Sequence, residues 1–200
     1  MISHMKNVRI IGSQRIRMIS NVTEMAYGGL NVSVAHIVIL IGVRQVIKGA
    51  IIDETGKYRY QLLRIWDESK PLAVFIMLNP STADENEDDP TIKRCMNYAR
   101  SWGYGGIKVV NLFAYRATDP KELSKVSDPI GPENNRYIWE AVSGDGIVIA
   151  AWGACNHVRN RMDWALPASK ELYCLGKTKD GHPKHPLYLK ADLKPVKWVV

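Results

Sequence analysis

Between Leu72 and Leu78 the chain runs through seven apolar residues without a polar interruption (L-A-V-F-I-M-L). A short run of this kind predicts a strand covered on both faces. It stops at Asn79-Pro80, where proline removes a ladder donor and fixes φ. Ser81, Thr82 and Asp84 follow with side-chain oxygens able to cap a helix. A buried strand thus delivers a polar loop, the place where parallel α/β sheets hold ligands. Two further strands repeat the pattern. Ile107–Phe113 exits into the loop Ala114–Pro120, and Ile147–Trp152 exits into Gly153-Ala154. Leu172–Leu175 is a fourth, shorter strand that runs into Gly176–Lys184 and then His185-Pro186-Leu187-Tyr188.

Helical spacing alternates with these runs. Pro90 opens a helix over Thr91–Trp102, with Ile92, Cys95, Met96 and Ala99 as its apolar stripe and Gly103 as its stop. Asn134–Val142 is a second helix and Arg159–Ser169 a third, limited by Pro167. Ahead of the central strand, Ala50–Asp53 and Lys57–Trp66 flank the turn signal Glu54-Thr55-Gly56. They predict a β-hairpin with Tyr58, Tyr60 and Leu62 on one face. The tail from Lys190 is a connector with a final apolar, strand-like piece. Alternation of strand and helix predicts one α/β domain over residues 50–200, a sandwich with a mostly parallel central sheet.

Residues 1–49 read differently, as a basic extension. The first fifty residues hold six Lys or Arg against Glu24 alone, and no proline. The apolar stretch Val32–Val43 is too short to span a bilayer. It predicts an extra strand near 34–43 or a poorly conforming extension, and Met18 and Met25 are alternative starts. The net charge of +7 therefore lies mostly in the extension, because 21 basic residues face 19 acidic ones after residue 50. Global charge alone does not establish a nucleic-acid partner. Cys95, Cys155 and Cys174 show no C-x-x-C spacing, which points to a reducing, cytoplasmic setting and away from a zinc or iron–sulfur site. No membrane span, cofactor or metal is expected.

Four strand exits supply the candidate chemistry: Asn79 with Ser81 and Asp84, Asn111 with Arg116, Trp152-Gly153, and His182 with His185. Converging, they would bring amides, a carboxylate, an arginine, an aromatic wall and histidines to one pocket. G-x-G-x-x-G, Walker and G-x-S-x-G motifs are absent, which removes the usual dinucleotide, P-loop and serine-hydrolase readings. Each residue also has a plainer role. Asn79 and Asn111 can cap strand-end turns. Arg116 can pair with Asp119 or the acidic run Asp84–Asp89, and His185 can be a surface histidine before proline. That acidic run is either a solvated helix cap or a divalent-metal site for phosphate chemistry.

The segment from about Ala50 to Trp198 resembles a bacterial and phage family, domain of unknown function 1643. The resemblance is carried by Y-R-Y-x-L-x-R-x-W (58–66), F-I-M-L-N-P-S-T-A-D (75–84), D-P-T-I-x-R-C (89–95), V-N-L-F-A-Y-R-A-T-D-P (110–120), A-W-G (151–153) and H-P-L-Y-L (185–189). A weaker resemblance, in motif order, is to the uracil-DNA glycosylase superfamily, with its three-layer sandwich. L-N-P-S (78–81) is similar to its water-positioning loop, N-L-F-A-Y-R (111–116) to its base-recognising segment, and H-P-L (185–187) to its His-Pro loop. The sequence departs from it at Pro80-Ser81, in the residue after His185-Pro186, and in lacking four cysteine ligands.

That resemblance implies a protein binding a nucleobase, a nucleotide or DNA. It also implies a glycosylase-type hydrolase, if the protein is an enzyme at all. Asn79 would hold water at Pro80-Ser81, with Asp84 as polariser or base and His185 stabilising the departing base. Asn111 would read the base, Tyr115 or Trp152 beside Gly153 would stack on it, and Arg116 would meet phosphate. The competing expectation is a non-catalytic module of the same fold, binding nucleic acid or protein.

Overall fold

The structure is a computed structural model and describes residues 10–11 (backbone), 46–81, 83, 87–154, 161 and 170–199. The expected strand near 34–43, both alternative starts, Asp84, and the helix 159–169 apart from Arg161 lie outside the described residues.

The elements are β1 (Ile10–Ile11), β2 (Ile47–Ile52), β3 (Arg59–Ile65), β4 (Leu72–Met77), α1 (Pro90–Ser101), β5 (Gly106–Asn111), α2 (Asn134–Val142), β6 (Val148–Ala150), β7 (Leu172–Cys174) and β8 (Val196–Trp198). Short 3₁₀ turns occupy Pro120–Lys125 and Pro186–Tyr188. One eight-stranded sheet has the order β1-β2-β3-β5-β4-β6-β7-β8. β2 starts at Ile47, just ahead of residue 50.

The sheet is mixed, which corrects the expectation of a mostly parallel one. β5, β4, β6 and β7 run parallel, whereas β1–β2, β2–β3, β3–β5 and β7–β8 pair antiparallel. Connection lengths explain it. The turn after β2 closes a hairpin, and only residues 66–71 separate β3 from β4. A parallel crossover needs about a dozen residues or more, so β4 must run against β3. The chain then returns through α1 to lay β5 parallel to β4, and β5 slots between β4 and β3.

Alternation along β4 feeds both faces of the sheet. Ala73, Phe75 and Met77 pack with Ile92, Cys95, Tyr98 and Ala99 of α1. Val74 and Ile76 pack with Ile138, Ala141 and Val142 of α2. Asp89 caps α1, its carboxylate accepting from the Ile92 N–H at 2.8 Å, while Gly103 closes the helix at φ 88°. Tyr98, outside the expected stripe, is buried, and its hydroxyl reaches the Lys190 carbonyl. The expectation of Tyr60 and Leu62 on one face is corrected by a register shift between β2 and β3: Tyr60 stacks on Tyr137 of α2 at 5.1 Å, whereas Leu62 packs in the cluster of α1. Two residues beyond Leu62 stands a fully buried Arg64. Its guanidinium meets Asp88 at 2.6 Å, the one arrangement in which burying that charge is tolerable. Among the described residues no helix is long and apolar enough to cross a membrane.

Candidate functional site

At the carboxyl ends of β4, β5 and β6 the loops enclose a cleft of about 370 Å³, at the small end of ligand sites. Its walls are laced together by the first loop. The Asn79 amide nitrogen donates to the Ala117 carbonyl at 2.7 Å and to the Pro80 carbonyl at 3.1 Å. The Pro80 carbonyl in turn accepts from the Ala117 N–H at 2.9 Å. Asn79, itself a lining residue, thus fixes the β4 exit against the β5 exit. Ser81 donates its hydroxyl hydrogen to Asp89 at 2.6 Å. Because the other oxygen of Asp89 caps α1, both carboxylate oxygens are committed to protein.

Asn111 is the last residue of β5, 1 % exposed. Its main-chain carbonyl accepts from the Asn134 side chain at 3.0 Å, but its own Nδ2 has no partner among the described residues. A buried amide nitrogen left unpaired costs free energy, so a cleft-lining one points to a ligand acceptor. Trp152 follows β6 by two residues, buried, with an unpartnered indole Nε1 and its ring edge-to-face with Trp198 at 5.1 Å. Gly153 turns the chain at φ 79°, a conformation that an L side chain adopts only under strain.

His185 enters from the loop after β7. Its Nδ1 accepts from the Leu187 N–H at 3.4 Å, which puts the hydrogen of the neutral ring on Nε2. Burial holds its pKa below the usual 6.5, against an opposing pull from the Asp89 carboxylate. His185 is therefore a neutral donor at pH 7.

The cleft brings together Asn79, Ser81, Asn111, Trp152, Gly153 and His185. Pro80 is buried just behind it. Tyr115 and Arg116 do not line it. Tyr115 bridges to Tyr58, and Arg116 donates to the Gly56 carbonyl at 3.2 Å, so both brace the hairpin turn. Among the described residues Arg116 thus takes neither of its expected acidic partners. His182 also stays outside. Of the acidic run, Asp88 pairs with Arg64 and, at 3.7 Å, with Lys48, and Asp89 caps the helix. Among the described residues no three His, Cys, Asp or Glu side chains stand close enough to share a metal ion.

The cleft also holds residues that the sequence did not single out as binding. Arg59 is buried in its wall and donates to the Ala83 carbonyl, while Thr91 and Thr118 line its rim. The signal for Arg59 was its place between Tyr58 and Tyr60 in a strand, where a basic residue reads as solvent-facing. A larger but more open depression lies at the opposite end of the sheet, beside Tyr104 and Lys170, and none of the unpartnered buried polar atoms belongs to it.

No curated protein and no solved structure matches the chain. A family model described as "Protein of unknown function (DUF1643)" matches residues 59–187, more than half of the chain and a segment that includes every residue lining the cleft. The chain belongs to this family.

Proposed function

We propose that the cleft binds a nucleobase, carried by a nucleotide or a nucleic acid, and hydrolyses the N-glycosidic bond of a modified base. The observation that carries this reading is the buried, unpartnered Nδ2 of Asn111, a residue that lines a cleft of a size suited to a small heterocycle. An amide offers a donor and an acceptor side by side, as recognition of a base edge requires. One helix over each face of the sheet supports reading the fold as a three-layer sandwich like that of uracil-DNA glycosylase.

In this reading Asn79, its nitrogen already tied to Ala117, presents its oxygen to a water molecule. The water attacks the sugar carbon as the carbon–nitrogen bond breaks, and the bonding pair leaves with the base. Nε2–H of His185 stabilises the charge developing on the base, and the proton released by the water ends on it. Asp84 keeps its role as polariser within this proposal. One observation favours the alternative, a non-catalytic binding module. Among the described residues Asp89 is the carboxylate lining the cleft, and both of its oxygens are engaged.

The experiment is mass-spectrometric detection of free base released from a panel of modified oligonucleotides and nucleosides. Wild type and Asn79→Ala are compared, with and without chelator. Release that survives chelator and falls by about 100-fold in Asn79→Ala is the expected result. Full activity in Asn79→Ala sinks the assignment, and no release from any substrate while binding persists selects the non-catalytic module.

A further inference from the structure

The positive charge of the domain is concentrated in one place. Residues 176–194 carry five lysines against Asp180 and Asp192, while the rest of residues 51–200 carry sixteen basic against seventeen acidic residues. The whole basic excess of the domain thus sits on the segment that includes His185 of the cleft. Lys179, Lys184, Lys190 and Lys194 are exposed and have no partner among the described residues. Lys177 donates to the Val199 carbonyl at 2.9 Å.

This segment is held as a ridge. Arg94 and Tyr98 of α1 and Trp102, which caps its end, stand four residues apart, and they donate in turn to the carbonyls of Leu189, Lys190 and Leu193, the last at 2.9 Å. Their grip fixes the main chain beside the cleft and leaves the lysines outward. On the 3₁₀ turn that His185 caps, Tyr188 is 92 % exposed, its ring unsupported by the core. An exposed aromatic set among unpaired lysines is the pattern that binds single-stranded nucleic acid, where phosphates meet the cations and an unstacked base lies on the ring.

Resting on the reading of the cleft as a base pocket, we propose that the ridge from Gly176 to Lys194 docks a single-stranded polynucleotide. One base enters the cleft and a flanking base stacks on Tyr188. The test is fluorescence anisotropy of a labelled oligothymidylate with the full chain across a salt series. Four phosphate contacts predict a slope of log affinity against log salt of about −3. Lys184→Glu with Lys190→Glu reduces that slope by about half. Tyr188→Ala weakens binding about tenfold, and Tyr188→Phe restores it. Duplex of the same length and free nucleotide compete poorly.

Affinity independent of salt, or unchanged by the lysine and tyrosine variants, overturns the ridge. Duplex binding as tight as single strand, with Tyr188→Ala silent, overturns the single-strand assignment. The two readings fail separately. If the oligonucleotide does not bind while free nucleosides still lose their base, the ridge is overturned and the cleft chemistry stands. Salt-dependent binding with no base release supports the ridge and leaves only the chemistry refuted.

Discussion

Asn111→Leu separates a residue kept for a ligand from one kept for the fold. The Asn111 side chain is 1 % exposed and makes no hydrogen bond among the described residues. Its contributions to the sheet are main-chain ones, the pairing with Met77 and the carbonyl that accepts from Asn134 at 3.0 Å, and a substitution leaves both in place. A buried polar group without a partner costs about 1–3 kcal/mol. Leucine has nearly the same volume and suits a site covered by apolar neighbours, so the variant should gain about 1 kcal/mol. With a urea dependence of about 2 kcal/mol per molar, the unfolding midpoint should rise by about 0.5 M. A base analogue that stabilises wild type, by about 2.7 kcal/mol at a hundred times its Kd, should leave the variant unmoved. Stability and binding would then move in opposite directions, as expected where a site is held at the expense of the fold. A loss of more than about 1 kcal/mol in Asn111→Leu would refute the reasoning, because the amide would then be holding the strand end.

Arg64→Met removes the buried guanidinium that meets Asp88 at 2.6 Å, leaving that carboxylate, among the described residues, with Lys48 at 3.7 Å. Removing one partner of a buried pair predicts a loss of about 3 kcal/mol in urea unfolding and faster proteolysis near residues 87–89, and a change below about 1 kcal/mol would contradict it. His185 gives a pH signature. Burial lowers its folded pKa below 6.5, so the folded state takes up a proton less readily than the unfolded chain. Its contribution is fully present above the unfolded value and is lost as pH falls through the folded one. Urea midpoints should therefore drop from neutral pH toward pH 5 more steeply in wild type than in His185→Asn, and parallel curves would refute this.

The sheet's centre was legible because it is written in periodicity. The run at Leu72–Leu78 yields β4, and the 3.6-residue spacing of Ile92, Cys95 and Ala99 yields α1. Strand direction was not legible, since alternation reads the same for a strand and its reverse. Connection length carries that information, and the six residues between β3 and β4 forbid the parallel pairing. The strand-end rule gathers Asn79, Asn111, Trp152 and His185. It fails for Tyr115 and Arg116 because the chain after Ala114 is captured by the hairpin turn, through the bridge to Tyr58 and the bond to Gly56. Arg59 and Arg64 were hidden for another reason. Their charges are buried against main-chain carbonyls and Asp88, partners that no local pattern announces.

The order β3-β5-β4 has a consequence for how the chain reaches this shape. As the chain is synthesised, β3 and β4 emerge together, run in opposite directions and are joined by a short connection. They can therefore close on each other as a local hairpin within microseconds, before β5 exists. That pairing is absent from the finished sheet and has to open to admit β5. Pulse-labelled hydrogen exchange should find β3 and β4 protected ahead of β5, and protection gained by all three at once would exclude the detour. Since Asn111 ends β5, the rearrangement that erases the early hairpin is also the step that brings the cleft its central amide.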